Sequence, residues 1–293
     1  MNGGIMINRD AFPIYEGGAM IDFFKMSGSG NDFILIDNRD GSLAVGDVAN
    51  FARRVCERKV SVGADGLFLI EPSEKVDFRW RFHNADGSEA DMCGNGARCA
   101  ARFAYLLGIA GERMSFETGA GIIDAEVRGD VVKVRLTDPH TLVMDDQIRI
   151  ENQLLTIHSV NTGVPHAVHF LRDLDGFDVF TTGRAIRTHD HYKPAGTNAN
   201  FVAVEDDHAL RVRTYERGVE DETLACGTGS VASALIAARK GFVQSPVDVR
   251  VQSGELLRIY FEATPEGYRN VYLEGKATVV YQGKLWDEAW KSR

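Results

Sequence analysis

Cys93-Gly94-Asn95-Gly96-Ala97-Arg98-Cys99-Ala100-Ala101-Arg102-Phe103-Ala104-Tyr105-Leu106-Leu107-Gly108 has a counterpart 133 residues further on, Cys226-Gly227-Thr228-Gly229-Ser230-Val231-Ala232-Ser233-Ala234-Leu235-Ile236-Ala237-Ala238-Arg239-Lys240-Gly241. From Ala97 to Leu107 and from Ser230 to Lys240 the residues are small or apolar around most of a helical circumference, which is the composition of a helix buried on all sides. Gly108 and Gly241 stand where a helix C-cap is expected. Around these two helices lie short segments that alternate apolar and polar residues with the period of a half-buried strand: Phe33 to Ile36, Val76 to Phe82, Val131 to Leu136, Leu210 to Thr214 and Val247 to Val251. A buried helix among many strands predicts an α+β fold of two pseudo-symmetric domains, each a curved, mostly antiparallel sheet wrapped around a central helix.

The offset extends beyond the helices, since Gly30 maps to Gly163, Gly63 to Gly196, Phe68 to Phe201 and Gly108 to Gly241. A period of 133 residues is far too long for a solenoid and suits a duplicated domain. Residues 1–20 lack a regular pattern and read as an extension. A first domain over 21–138 holds Cys93, and a second over 139–277 holds Cys226, with the boundary at the turn signal Asp138-Pro139. Residues 278–293 form a final strand. A third, amphipathic helix is predicted from about Val48 to Lys59, with Phe51, Ala52 and Val55 beside Cys56.

The 293 residues, 44% of them apolar, suffice for two cores of ordinary size in a soluble protein. A net charge of −9 without a basic tract argues against nucleic acid, and a small-molecule substrate fits better. No run approaches the ~20 apolar residues needed to span a bilayer, so no membrane partner is expected. The four cysteines have neither zinc-ligand spacing nor the density of a disulfide scaffold, and free thiols in a reducing cytoplasm are expected. Gly28-x-Gly30 lacks the third glycine of a dinucleotide fingerprint, since Phe33 stands in its place. No cofactor and no metal are expected.

Asn95 and Thr228, each two residues after a cysteine, are good N-cap types, which sets each thiol at the positive end of a buried helix. The dipole and free backbone N–H groups there favour thiolate over thiol, so both pKa values are expected below the reference of about 8.5. The flanking glycines leave the backbone open to a carboxylate. Two helix N-termini aimed at one carboxylate would stabilise the enolate-like charge formed when the adjacent carbon loses its proton. One thiolate then removes a proton while the opposite thiol returns one to the other face, a stereoinversion by general acid–base catalysis. A single Cys-Gly is more often a buried thiol beside a turn. The duplication tips the balance for Cys93 and Cys226, whereas Cys56 and Cys99 have no partner at the offset and read as core.

Gly30-Asn31-Asp32-Phe33, Phe82-His83-Asn84-Ala85-Asp86-Gly87-Ser88-Glu89, Cys93-Gly94-Asn95-Gly96-Ala97-Arg98-Cys99, Gly163-Val164-Pro165-His166 and Tyr215-Glu216-Arg217-Gly218 before Ala225-Cys226-Gly227-Thr228-Gly229 together resemble diaminopimelate epimerase. The match runs from about Phe23 to Leu285. The resemblance implies an isomerase independent of pyridoxal phosphate that interconverts LL- and meso-2,6-diaminopimelate on the route to lysine and peptidoglycan. It also implies that the last strand returns to the first domain. Carried across by motif, Cys93 and Cys226 are the acid/base thiols, and Gly94-Asn95 with Gly227-Thr228 hold the reacting carboxylate. Asn31, Asn84, Asn198, Glu216 and Arg217 contact the substrate's amino and carboxyl groups, and His166 and Glu216 adjust the thiol pKa values. A substrate with two ammonium and two carboxylate groups needs an Arg fork, an acidic partner and adaptable amides. Val164 and Gly66 depart from the pattern, standing where some members have Asn and Gln. A homodimer is expected, although no residue pattern fixes the oligomeric state.

Three other readings fit less well. A proline or hydroxyproline racemase keeps the fold and thiols, but a cyclic monocarboxylate leaves Arg217 without a second carboxylate. A hydrolase with Cys226 as nucleophile and His166 as base leaves the Cys93 copy unexplained. A non-enzymatic binding protein would hold both thiols inert, which thiol alkylation would test.

Overall fold

The structure is a computed structural model that describes residues 20–43 and 45–291. The extension read over residues 1–20 lies outside them except for Met20. The first half runs β1 (Ile21–Gly28), β2 (Asn31–Asp37), α1 (Val48–Cys56), β3 (Gly66–Glu71), β4 (Phe78–Asn84), α2 (Gly94–Leu106), β5 (Arg113–Thr118), β6 (Gly121–Arg128) and β7 (Val131–Arg135). The second runs β8 (His140–Ile150), β9 (Gln153–Asn161), β10 (Pro165–Phe170), α3 (Val179–Arg187), β11 (Asn198–Asp206), β12 (Ala209–Glu216), β13 (Asp221–Thr223), α4 (Gly227–Arg239), β14 (Val247–Arg250), β15 (Leu256–Thr264) and β16 (Gly267–Lys276). A last strand, β17 (Thr278–Leu285), pairs antiparallel with β1.

The halves repeat one topology. In the first, β2 runs parallel to β3 and β4 to β5; in the second, β10 runs parallel to β11 and β12 to β14. Most other ladders are antiparallel, and the halves join where β7 pairs with β16. The chain thus has the α+β, two-domain architecture that the duplication predicts.

Both central helices lie in one continuous core. Ala97, Ala100, Ala101 and Ala104 of α2 share it with Val231, Ala232, Leu235 and Ile236 of α4. Small side chains let the strands close tightly around them. Gly96 lies beneath the Phe68 ring with no room for a Cβ. A helix glycine costs about 1 kcal/mol, less than the roughly 1.5–3 kcal/mol that burying Phe68 returns. Gly108 (φ 66°) and Gly241 (φ 75°) end the helices in the left-handed conformation as predicted.

Outer clusters complete each half. Phe51, Ala52 and Val55 of α1 cover Ile34, Ile36, Leu67 and Leu69. β2 is therefore buried on both faces, and its Phe33–Ile36 run is a continuously apolar central strand rather than an alternating one. α1 ends at Cys56, short of the predicted Lys59, because Glu57 turns to an extended conformation and Lys59 takes a positive φ of 71°. α3 covers Phe201 in the same way and was not predicted. Among the described residues no helix is long and apolar enough to cross a membrane.

Candidate active site

Each central helix begins at its cysteine. Cys93 (φ −146°, ψ 114°) and Cys226 (φ −120°, ψ 109°) are extended residues that end the preceding segment and serve as N-caps. This corrects the reading of Asn95 and Thr228 as caps: both are the second residue of the first turn, and the thiols themselves stand at the helix mouth. Cys93 Sγ accepts the Gly96 N–H at 3.4 Å. Cys226 makes no such bond, but its Sγ lies 3.6 Å from Thr228 Oγ1.

The two mouths converge. A Cβ on Gly94 would lie 3.3 Å from Leu273 Cδ2, and one on Gly227 would lie 2.9 Å from the same methyl and 3.2 Å from Asn95 Oδ1. Between them is a cavity of about 590 Å³ whose wall includes Asn31, Cys93, Gly94, Asn95, Glu216, Cys226, Gly227 and Thr228. Thr162, also in the wall, donates its hydroxyl to Thr228 O at 3.1 Å and ties β9 to the start of α4. The other predicted residues lie outside this wall. Asn84 donates to Ser88 Oγ at 3.0 Å. Asn198 Oδ1 accepts the Arg217 backbone N–H at 2.8 Å, and Arg217 Nη1 donates to Ala195 O at 3.0 Å. His166 is paired in register with Asn198 across β10 and β11 and is buried.

Electrostatics reverse one expectation. Burial raises both thiol pKa values, outweighing the N–H groups that pull them down. For Cys226 the nearby Glu216 charge adds to the rise, while Thr228 and the Gly229 N–H oppose it. Helix position alone therefore does not ionise the thiols. Burial also raises Glu216, against hydrogen bonds from Thr223 and from the Cys226 thiol, so the Cys226 S–H faces a carboxylate acceptor. Thr223 Oγ1 lies 3.0 Å from Glu216 Oε2.

His166 is held neutral. Burial, aided by the Arg217 charge, pushes its pKa down to about 3. Asn200 Nδ2 lies 3.2 Å from His166 Nδ1 and donates to Ala167 O at 2.9 Å, while Thr214 donates to Asn200 Oδ1. That amide can offer His166 only N–H, which puts the imidazole proton on Nε2. Nε2 is buried and has no hydrogen-bond partner in the structure. Among the described residues no group of three or more His, Cys, Asp or Glu side chains is arranged to hold a metal ion.

Sequence reading missed Asn200, which orients His166. Asn200 sits in a β11 run that reads as apolar, and its polarity within that run was the available signal.

The fold places the chain among two-domain proteins built on a duplicated, helix-centred barrel. It superposes with a TM-score of 0.73 on a phenazine biosynthesis protein of the PhzF family from Bacillus anthracis, at 18% identity over 92% of this chain and 99% of that one. It matches a hydroxyproline epimerase from Agrobacterium vitis with a TM-score of 0.69, at 15% identity over 91% of each chain. The diaminopimelate epimerase family profile matches residues 23–143 and 158–280. Diaminopimelate epimerases from Aquifex aeolicus and Hydrogenobaculum sp. are 45% and 49% identical, covering 92% and 89% of this chain and 99% and 97% of their own lengths. The chain belongs to the diaminopimelate epimerase family, a family of isomerases.

Proposed function

We propose that the protein interconverts LL- and meso-2,6-diaminopimelate without a cofactor, inverting one α-carbon between Cys93 and Cys226. The observation that carries this reading is the convergence on one cavity of two helix N-termini, each headed by a cysteine. The reacting carboxylate accepts N–H groups from Gly94-Asn95 and Gly227-Thr228, which stabilise the charge that grows as the α-carbon loses its proton. A thiolate takes that proton on one face, and the opposite thiol delivers its own to the other. One C–H bond breaks and one forms, and thiol and thiolate exchange states with no net change in protons or electrons.

Because burial keeps the thiols protonated, one must first surrender its proton. The Glu216 carboxylate beside Cys226 is the acceptor at hand. The substrate's ammonium groups add positive charge that favours the thiolate. Asn31, Asn84, Asn198 and Arg217 hold the remaining amino and carboxyl groups, and neutral His166 contributes a hydrogen-bond donor rather than a charge. Asn84, Asn198 and Arg217 reach the substrate when the two halves draw together around it. The free state of Cys56, Cys93, Cys99 and Cys226 supports a reducing cytoplasm as the working compartment.

Incubation with LL-diaminopimelate in deuterated water, with no added cofactor, should yield the meso isomer with deuterium at the inverted carbon. Failure to exchange that hydrogen would overturn the reading.

A further inference from the structure

Arg98 is fully buried in α2, and among the described residues no carboxylate lies within 4.0 Å of it. A buried cation without a counter-ion is strongly unfavourable unless its donors are well used. Arg98 Nη2 donates to Ser29 Oγ at 2.7 Å and to Asn95 Oδ1 at 2.9 Å. From there a chain of bonds continues in one direction. Asn95 Nδ2 donates to Asn31 Oδ1 at 2.8 Å, and Asn31 Nδ2 donates to Asp65 Oδ2 at 3.0 Å. Asp65 is held in turn by Arg58, whose Nη2 lies 2.8 Å from Asp65 Oδ1 and which also pairs with Asp32.

The two ends of this chain fix its direction. A guanidinium only donates, and an ionised carboxylate only accepts. An amide in isolation can present either its oxygen or its nitrogen, but Asn95 and Asn31 are locked between poles that allow one orientation each. Both amide oxygens are engaged within the chain, and each amide nitrogen keeps one N–H to spare. Asn31 and Asn95 both line the cavity. We infer that Arg98 and Asp65 are positioning residues, the donor and acceptor poles of a one-way hydrogen-bond chain that makes Asn95 and Asn31 present N–H groups to a substrate carboxylate. The inference rests on the diaminopimelate reading above and adds the residues that set its preference for a carboxylate.

Asp65→Asn replaces the acceptor-only pole with an amide that can also donate, at a position partly open to solvent, so the core packing is left alone. The measurements are KM and kcat for diaminopimelate, and the ratio of binding of diaminopimelate to that of its bis-carboxamide. KM should rise on the order of tenfold, as expected for a weakened charge-assisted contact, with kcat changing much less, and the preference for carboxylate over carboxamide should fall by a similar factor. Arg98→Met should do the same, and Arg98→Lys, which keeps a donor-only pole, should recover part of the loss. If Arg98→Met does not fold, Asp65→Asn still decides. A folded Asp65→Asn with unchanged KM and unchanged carboxylate preference overturns the inference, as does a loss confined to kcat. Wild-type protein that fails to turn over diaminopimelate would instead sink the functional reading itself.

Discussion

Gly94 and Gly227 rest against the same methyl group, Leu273 Cδ2, so the first residues of the two central helices are separated by little more than one side-chain branch. Leu273 is fully buried on β16, the strand that joins the halves by pairing with β7. The seam between the domains therefore sets the distance between the helix mouths.

A methyl added at these glycines probes that distance. In Gly227→Ala the new Cβ would meet Leu273 Cδ2 at 2.9 Å and Asn95 Oδ1 at 3.2 Å, whereas in Gly94→Ala it would meet the methyl at 3.3 Å and Leu136 Cδ2 at an ordinary 3.9 Å. Leu273 is fully buried and a first helical residue gains little from helix propensity, so Gly227→Ala should carry the usual overpacking cost of about 1–3 kcal/mol and Gly94→Ala less. Gly227→Ala should lower kcat/KM by roughly tenfold or more through displacement of Asn95, and Gly94→Ala by less. Melting temperature and kcat/KM measured on both variants test this ordering, and equal effects in the two would contradict it.

Inversion needs a group on each face, so Cys93→Ala and Cys226→Ala should each lose on the order of 10²–10⁴ in kcat. Groups that act as a unit are not additive, and the double variant should be little worse than either single one. Near-normal turnover in both folded single variants would refute the two-thiol mechanism.

The two buried helices, their glycine caps and the pairing of the thiols were legible because they are written in local composition and repeated at a fixed offset. α3 was not, although the offset carries α1 nearly onto it: Thr181, Thr182 and the interior Gly183 make Val179–Arg187 a poor helix by propensity. Gly183 is tolerated because it packs directly on the Tyr215 side chain, a tertiary contact. The direction of the thiol pKa shifts was misread for a related reason. A helix N-terminus can be recognised from sequence, but the desolvation that outweighs it depends on how strands from both halves close over Cys93 and Cys226. Arg98 was visible as a charge in an apolar helix, yet its route through Asn95 and Asn31 to Asp65 exists only in the fold.

The raised thiol pKa values give a chemical test. In protein without substrate, the rate of alkylation of Cys93 and Cys226 by iodoacetamide should climb with a midpoint above the ordinary thiol value of about 8.5. A midpoint near neutrality would mean that the helix termini win over burial.

His166 predicts a stability change on the acid side. Its folded pKa of about 3 lies below the unfolded value of 6.5, so its contribution is fully present above pH 6.5 and is lost as pH falls towards 3, where the unfolded chain takes up a proton that the folded one refuses. Across that window it contributes up to about 1.4 kcal/mol per pH unit. His166→Asn keeps an acceptor for Asn200 but cannot titrate, so its unfolding free energy in urea should fall less steeply between pH 6.5 and pH 4. Parallel curves for the two proteins would exclude this contribution.

Arg217 is assigned to the non-reacting carboxylate. Its guanidinium donates to Ala195 O, and no carboxylate lies within 4.0 Å of it among the described residues, so its charge is available to a ligand. Its backbone N–H is fixed by Asn198 Oδ1, which anchors the stem while the head remains adjustable. A guanidinium fits a carboxylate with two parallel N–H groups, and an ammonium on a flexible chain does not reproduce that fork. Arg217→Lys should therefore retain the charge but lose selectivity for a substrate with two carboxylates. Removing one charge-assisted hydrogen bond costs on the order of 1.5–3 kcal/mol, roughly tenfold or more in affinity. The comparison is kcat/KM for diaminopimelate against lysine in wild type and in Arg217→Lys. The ratio should fall at least about tenfold in the variant, mainly through a higher KM for diaminopimelate, and an unchanged ratio would return Arg217 to a structural role at the end of β12.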